Sequence, residues 1–301
     1  MTDAVVPDIS RVMDALAPEQ TQMLDHWADQ LQELLNTAVS QGGPAARRVK
    51  NWLNGVWLGH PLHPALTDAA IGAWSTGAVL DMVGASREAD AAMTVGVLAA
   101  VPTALAGAAD WADTSEEQRR IGLIHALLNS AALVLMLGSL FARRGNQRGL
   151  GIGLSTLGLS LTSISAWLGG ELVYRFGTAV SRIAFEPRVD EFVAVTPVTA
   201  LVEGKLTQVE ATVEGQKVPV VLLKRGNLIS AISATCPHWG GPLAEGKVVE
   251  CADGATAVEC PWHASQFTLD DGKVCQGPAA TPVTSYEVRL RAGQVEVRRR
   301  G

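Results

Sequence analysis

The chain has 301 residues, 48% of them apolar, and its 24 basic and 30 acidic side chains leave a net charge of −6. That length accommodates two compact domains. The negative balance, with no basic patch interleaved with aromatics, excludes nucleic acid as an expected partner.

The first residues, Met-Thr-Asp-Ala-Val-Val-Pro-Asp, have neither the basic nor the apolar region of a signal peptide or twin-arginine leader. Residues 1–50 read as an N-terminal helical segment. In it Met23, Trp27, Leu31, Leu34 and Ala38 recur at helical spacing among Asp25, Asp29 and Glu33. Such an amphipathic helix packs on the protein's own domains or lies on a membrane surface, and the first is the simpler expectation. Gln41-Gly-Gly-Pro44 ends it, and Arg47, Arg48 and Lys50 precede Trp52 and Trp57, an order suited to a membrane–water interface.

Charge is unevenly spread over residues 51–183. Ala91–Ala109, Ile121–Ala142 and Gly149–Gly170 are stretches without a charge, if His125 is neutral. Each is long enough to cross a hydrocarbon core of ~30 Å as a helix. A weaker window near Ala65–Val83 carries Asp68 and Asp81, leaving only Ala69–Leu80 uncharged. The alternative is a buried soluble bundle, but four such windows with short charged joints favour a transmembrane four-helix domain. Gly, Ala, Ser and Thr are frequent in the windows, which suits close helix approach in lipid. No internal repeat and no low-complexity tract is expected.

A linker, 184–191, leads to a domain over 192–301 built of short β-prone runs: 192–195, 208–213, 218–223, 228–233, 257–259 and 285–290. Lys224–Asn227 and Arg291–Gln294 read as hairpin turns. The expected fold class is α + β in two domains, a transmembrane bundle followed by an all-β domain.

That β domain holds Cys236-Pro-His238 and, further on, Cys260-Pro-Trp-His263. Two thiolates and two imidazoles are the ligand set of a Rieske [2Fe–2S] centre, with Cys236 and Cys260 on one iron and His238 and His263 on the other. Neutral imidazoles reduce the negative charge of the cluster and raise its potential above that of all-cysteine ferredoxins. Structural zinc is the competing reading. Against it, each knuckle mixes one Cys with one His, both begin Cys-Pro, and small residues follow each. Cys251 and Cys275 are expected to be spare thiols.

Through Cys-Pro-His-Trp-Gly-Gly-Pro-Leu, Cys-Pro-Trp-His-Ala-Ser-Gln-Phe and Gly277-Pro278-Ala279, residues 192–298 resemble the Rieske family. The gap between the two motifs is long for that family, and the excess is expected in the turn at Cys251–Gly254. Rieske proteins of cytochrome bc complexes carry a disulfide between the cluster loops, where this chain has Gly241 and Trp262. The resemblance is therefore to the ferredoxin-type branch that serves oxygenase systems. Of two hydroxyls that hydrogen-bond the cluster in high-potential members, Ser265 matches one, while Phe267 replaces the tyrosine. The resemblance thus implies a low-to-intermediate potential.

Residues of about 50–180 resemble an uncharacterised bacterial four-helix membrane family through Leu58-Gly-His-Pro-Leu-His-Pro64, Ile124-His-Ala-Leu-Leu-Asn129 and Trp167-Leu-Gly-Gly-Glu-Leu-Val-Tyr174. With four spans, Arg47, Arg48, Lys50, Arg119, Arg120, Arg175 and Arg182 lie on the Rieske side, and Arg87, Arg143, Arg144 and Arg148 on the other. That bias places the Rieske domain in the cytoplasm of a multi-pass cell-membrane protein. His60, His63, His125 and Glu171 fall near the same membrane face, where ionisable groups are functional candidates. They are read either as interfacial polar packing or as a site for a b-type haem, with His125 and one of His60 or His63 as ligands.

The short remainder of the chain after His263 holds no histidine, so no catalytic mononuclear iron domain is expected and no catalytic residue is assigned. The expected function is a membrane-anchored carrier of single electrons to or from a redox partner protein or quinone. The alternatives are a relay subunit of a haem- or quinone-linked membrane oxidoreductase, and a redox-sensing scaffold. Oligomeric state is not legible.

Overall fold

A computed structural model describes residues 18–300, so the start of the expected N-terminal segment lies outside the described part. The chain divides into two compact units. One comprises residues 18–43 with Leu62–Thr178, and the other Pro44–Pro61 with 179–300.

The first unit is helical: α1 (Pro18–Gln41), α3 (Leu62–Met82), α4 (Ser86–Trp111), α5 (Glu116–Arg144) and α6 (Arg148–Tyr174). Three of these, α4, α5 and α6, are long and apolar enough to cross a membrane. Helix α3, which carries Asp68 and Asp81, is the marginal fourth member. Packing is closest within two hairpins, α3–α4 and α5–α6. Glycines make this possible: a Cβ on Gly96 of α4 would lie 2.3 Å from the Trp74 ring, and one on Gly158 of α6 would lie 3.2 Å from Ala132 O and Met136 Cε.

The two hairpins are one motif used twice, which corrects the expectation of no internal repeat. Trp74 and Met136, Gly96 and Gly158, and the starts of α4 and α6 are all separated by one constant interval. Across this offset Leu62-His-Pro-Ala-Leu-Thr-Asp-Ala-Ala aligns with Ile124-His-Ala-Leu-Leu-Asn-Ser-Ala-Ala. Outside that stretch the match is thin, because spans written in a few small and apolar residues give little identity above background. Repeats of two spans each run in the same direction and are related by an axis along the membrane normal.

At one end of the bundle Arg143 donates to Asp81 (2.5 Å) and Asp90 (2.9 Å), and Arg148 donates to Asp81 at 2.6 Å. The network ties all four helices together, with the Arg143 and Asp81 side chains buried at 1% and 5% exposure and Asp90 and Arg148 at its more open edge. Helix α1 is held by its polar face. Gln32 donates to the carbonyls of Trp111 and Thr114, and Asp25 and Asp29 pair with Arg120 and Arg119. Its apolar stripe, Met23, Trp27, Leu31 and Leu34, therefore faces outward.

The second unit contains two antiparallel sheets. The larger has the order β1 (Val193–Pro197), β10 (Gln294–Arg299), β9 (Ser285–Arg291), β4 (Leu228–Ser233), β3 (Gln216–Arg225) and β2 (Leu206–Val213). The smaller runs β5 (Lys247–Glu250), β6 (Thr256–Glu259), β7 (Gln266–Thr268) and β8 (Val274–Gln276). Alternation along β3 sends Val218, Val220 and Leu222 into one core, and Val221 and Leu223 into another with Cys236, Cys260 and Phe267. Both expected hairpin turns form. In the β9–β10 turn Ala292 and Gly293 have φ of 49° and 78°, as a two-residue primed turn requires.

Two features differ from expectation. Helix α2 (Gly43–Leu53) and the turn Val56–Leu58, read as the approach to the first span, fold with the β domain. There Asn51 Oδ1 accepts the amide proton of Gly277 at 3.0 Å. Cys251 and Cys275, expected to be spare thiols, are joined as a disulfide. Cys251 follows β5 and Cys275 lies on β8, the two edge strands of the smaller sheet, and their Cα atoms stand 6.1 Å apart although they are distant in sequence.

Candidate metal centre

Two turns of matching design present the four candidate ligands. In the first, between β4 and β5, Cys236 N–H donates to Gly241 O and Gly240 N–H returns to Cys236 O. In the second, between β6 and β7, Cys260 N–H donates to Ser265 O and Ala264 N–H returns to Cys260 O. Both turns close through a residue of positive φ four places after the cysteine, Gly240 at 80° and Ala264 at 57°. The sharp reversal carries each histidine to the same side as its cysteine.

The turns face each other in like pairs. Cys236 and Cys260, both buried, bring their thiols into hydrogen-bond contact. The rings of His238 and His263 stand edge to face, 5.1 Å apart. Among the described residues no three His, Cys, Asp or Glu side chains gather around a single point. Two sulfurs together and two imidazoles together suit a bridged pair of metals better than one tetrahedral ion.

Electrostatics favour ligation. The thiol pair loses its first proton early, because the second thiol hydrogen-bonds the resulting thiolate; Cys260 is held at about 6. Cys236 is correspondingly pushed up by Cys260. Burial, then His263 and the charges of Lys50 and Arg182, lower His238 to about 3, so its ring is neutral at pH 7. His238 Nδ1 is buried with no hydrogen-bond partner, an orphan that a metal bond would satisfy. A Cβ at Gly241 would lie 2.8 Å from Cys260 Sγ and 3.2 Å from the Trp262 ring, so a side chain there would have to displace both. The residues present fit a [2Fe–2S] group.

The surroundings follow the sequence reading in part. Gly241 and Trp262 are neighbours, as the loop disulfide of other Rieske proteins would require of those positions. Ser265 is fully buried and its Oγ accepts the Ala279 amide proton at 2.9 Å; Phe267 is fully buried in the same core. The β5–β6 turn, with Gly254 at φ 84°, lies between the two motifs. Lys50 was not legible as a neighbour of His238, because the two stand far apart in sequence and only the fold of α2 joins them.

In the helical unit, His63 and His125 lie 6.2 Å apart, ring centre to ring centre. His60 is exposed, its Nδ1 beside its neighbour's carbonyl, Pro61 O, at 3.0 Å, and belongs to the other unit. Glu171 pairs loosely with Arg175 at 3.8 Å. Of the four polar residues grouped from sequence, the structure thus brings two together.

Comparison with known proteins agrees with the two-domain layout. Residues 59–182 match a family described as a predicted membrane protein, DUF2231, and residues 191–287 match the Rieske [2Fe-2S] domain. The 3-phenylpropionate/cinnamic acid dioxygenase ferredoxin subunit of Escherichia coli (strain K12) is 34% identical over 100 residues, 33% of this chain and 85% of that protein. The cytochrome b6-f complex iron-sulfur subunit of Chlorobaculum tepidum is 31% identical over 78 residues, 26% of this chain and 39% of that protein. Among solved structures, the ferredoxin of carbazole 1,9a-dioxygenase from Nocardioides aromaticivorans IC177 is 27% identical, covering 37% of this chain and all of that one, with a TM-score of 0.31. A Rieske domain implies a [2Fe–2S] cluster, and this chain belongs to the Rieske family through its C-terminal domain, with a DUF2231 membrane domain ahead of it.

Proposed function

We propose that this chain is a membrane-anchored Rieske protein that carries single electrons to or from a redox partner, its cluster held by Cys236, His238, Cys260 and His263. The observation that carries the reading is the pairing of the two thiols beside the two imidazoles on matched turns. When bound, such a cluster supplies one-electron chemistry at roughly −150 to +300 mV. The protein's part is to exclude water from both cysteines and to keep His238 neutral. His263 and its exposed neighbour Trp262 offer a partly apolar docking edge. The likeness to a dioxygenase ferredoxin subunit supports a carrier over a catalyst.

Anchoring is supported by the three apolar helices and by the outward stripe of α1, whose tryptophan suits a membrane interface. The excess of Arg and Lys on the Rieske side supports a cytoplasmic domain. The Cys251–Cys275 bond pulls the other way, since such bonds persist in oxidising compartments. The test of function is a visible and EPR spectrum of the purified full chain. We expect one cluster per chain, lost in Cys260→Ser and His238→Ala. Stoichiometric zinc with no iron would refute the reading.

A second reading, a relay subunit exchanging electrons with haem or quinone in the membrane, is favoured by the facing pair His63 and His125.

A further inference from the structure

We propose that His63 and His125 are the two axial ligands of a b-type haem in the core of the helical unit. This extends the electron-carrier reading and shares no residue with the Rieske centre.

The two histidines are equivalent positions of the repeat, and their settings are equivalent too. Each turns Nδ1 toward a backbone carbonyl in the partner helix of its own hairpin, at the same distance along the chain: His63 to Thr103 O at 2.9 Å, His125 to Ser165 O at 2.8 Å. Each ring lies on a glycine one helical turn beyond that carbonyl. A Cβ on Gly107 would stand 2.8 Å from His63 Cε1, and one on Gly169 would stand 3.3 Å from His125 Cε1.

The hydrogen bonds fix the tautomer. A carbonyl can only accept, so Nδ1 carries the proton in both rings and Nε2 keeps its lone pair. At His125 the network is complete. Ser165 Oγ donates to His125 O, so it accepts from Nδ1 at 2.9 Å, and the Asn129 amide approaches Nε2 at 3.1 Å, which marks that nitrogen as an acceptor. Anchoring of the distal nitrogen by a backbone carbonyl is the arrangement that orients metal-bound histidines. With Nδ1 bonded inside its own hairpin, each ring keeps Nε2 as its acceptor; at His125 that nitrogen accepts from Asn129 of the same helix, a contact that a metal bond would replace.

Spacing and composition select the ligand. A metal–imidazole bond is about 2 Å and the ring centre lies roughly 1 Å further, so two rings sharing one ion have centres about 6 Å apart. The observed 6.2 Å agrees. Among the described residues no third His, Cys, Asp or Glu joins the pair in a metal-binding group, and two ligands do not hold a bare ion. A porphyrin brings four nitrogens of its own and lacks two axial ones. Its place lies between the hairpins. The apolar cluster joining them, Trp74, Met93, Met136 and Leu140, is in the other half of the bundle. In the histidine half the buried cluster of Ile121 and Leu168 stays within α5 and α6. Helix bundles build cofactor sites in this way, from side chains on facing helices.

The full chain, expressed with a haem precursor and purified in detergent, is expected to hold one haem per chain by pyridine haemochrome. Chain purified without haem is expected to bind added haemin one to one, with a low-spin two-histidine spectrum. His63→Ala and His125→Ala should each abolish that spectrum and leave the cluster EPR signal unchanged. Gly107→Leu, which keeps both histidines but displaces the His63 ring, should weaken haemin binding at least tenfold. Absence of haem binding in chain carrying its full cluster overturns the proposal and leaves the carrier reading intact. So does a spectrum that survives either histidine substitution, or quinone alone in the purified protein.

Discussion

Replacing Ser265 by Ala tests the cluster's surroundings twice over. The Ser265 oxygen, fully buried, accepts the Ala279 amide proton at 2.9 Å, and its own hydrogen stays available to a cluster sulfur. Alanine strands the buried amide, which costs about 1–3 kcal/mol. For a domain of this size each kcal/mol lowers the melting midpoint by roughly 4 °C or slightly more, so a fall of about 4–15 °C is expected. A donor to sulfur stabilises the reduced, more negative cluster. Removing about 1 kcal/mol of that preference lowers a one-electron potential by roughly 40 mV. Melting followed by cluster absorbance, and a redox titration, read the two effects separately. An unchanged midpoint would refute the buried bond, and a lower midpoint at unchanged potential would show that the hydroxyl only braces Ala279. Phe267→Tyr is the converse, supplying the missing donor at a fully buried position. It should raise the potential by a similar amount from a low-to-intermediate starting value. A wild-type potential at the top of the Rieske range would remove the basis for both.

Arg143→Met leaves Asp81 buried beside Arg148 alone, and should destabilise the helical unit by about 3 kcal/mol in detergent melts. Equal melting of variant and wild type would show that the ion network does not stabilise. Glu186, half-buried and hydrogen-bonded by Ser233, has its carboxyl raised above the usual range by burial. The folded domain therefore binds that proton more tightly than the unfolded chain. Stability is present below the ordinary glutamate value and lost as pH rises through the raised one. Glu186→Gln should flatten that decline in denaturant titrations carried upward in pH from the ordinary glutamate value of about 4.3. A parallel profile would contradict it. For sidedness, intact cells answer: on a cytoplasmic domain Cys251 and Cys275 should react with a permeant maleimide without prior reduction. Reaction only after reduction would place the domain outside.

Much of the β domain and its centre was legible because the constraints are local. Cys-Pro-His and Cys-Pro-Trp-His each build one turn, and the small residue that closes it stands four places on, inside the motif. The spans were legible from runs without charge. What escaped depends on contacts that sequence distance conceals. The α2 segment reads as a basic, tryptophan-bearing membrane approach, yet it folds onto the loop at Gly277 and sets Lys50 near His238. Cys251 and Cys275 look solitary because the two strands that pair them are separated by the whole second cluster turn. For α1 the periodicity was readable but the packing face was not. Its polar side bonds the carbonyls of Trp111 and Thr114, which outweighs burial of a stripe that a membrane can cover.

The repeat bears on the two polar ends of the bundle in a way neither end shows alone. Equivalent residues meet near a two-fold axis, so an identical residue in both repeats faces its own copy. At one end the equivalent positions hold Asp81 and Arg143, opposite charges in contact at 2.5 Å, and the pair satisfies itself. At the other end both positions hold histidine. Two imidazoles protonated on Nδ1 offer each other only acceptors at Nε2, and the one on His125 takes its hydrogen bond from Asn129. A self-facing pair of that kind does not satisfy itself, whereas a self-facing Asp–Arg pair does. The same geometry thus makes one end a structural clasp, and on the haem proposal the other end is the place for an electron-pair acceptor. An iron with two vacant axial positions has that character.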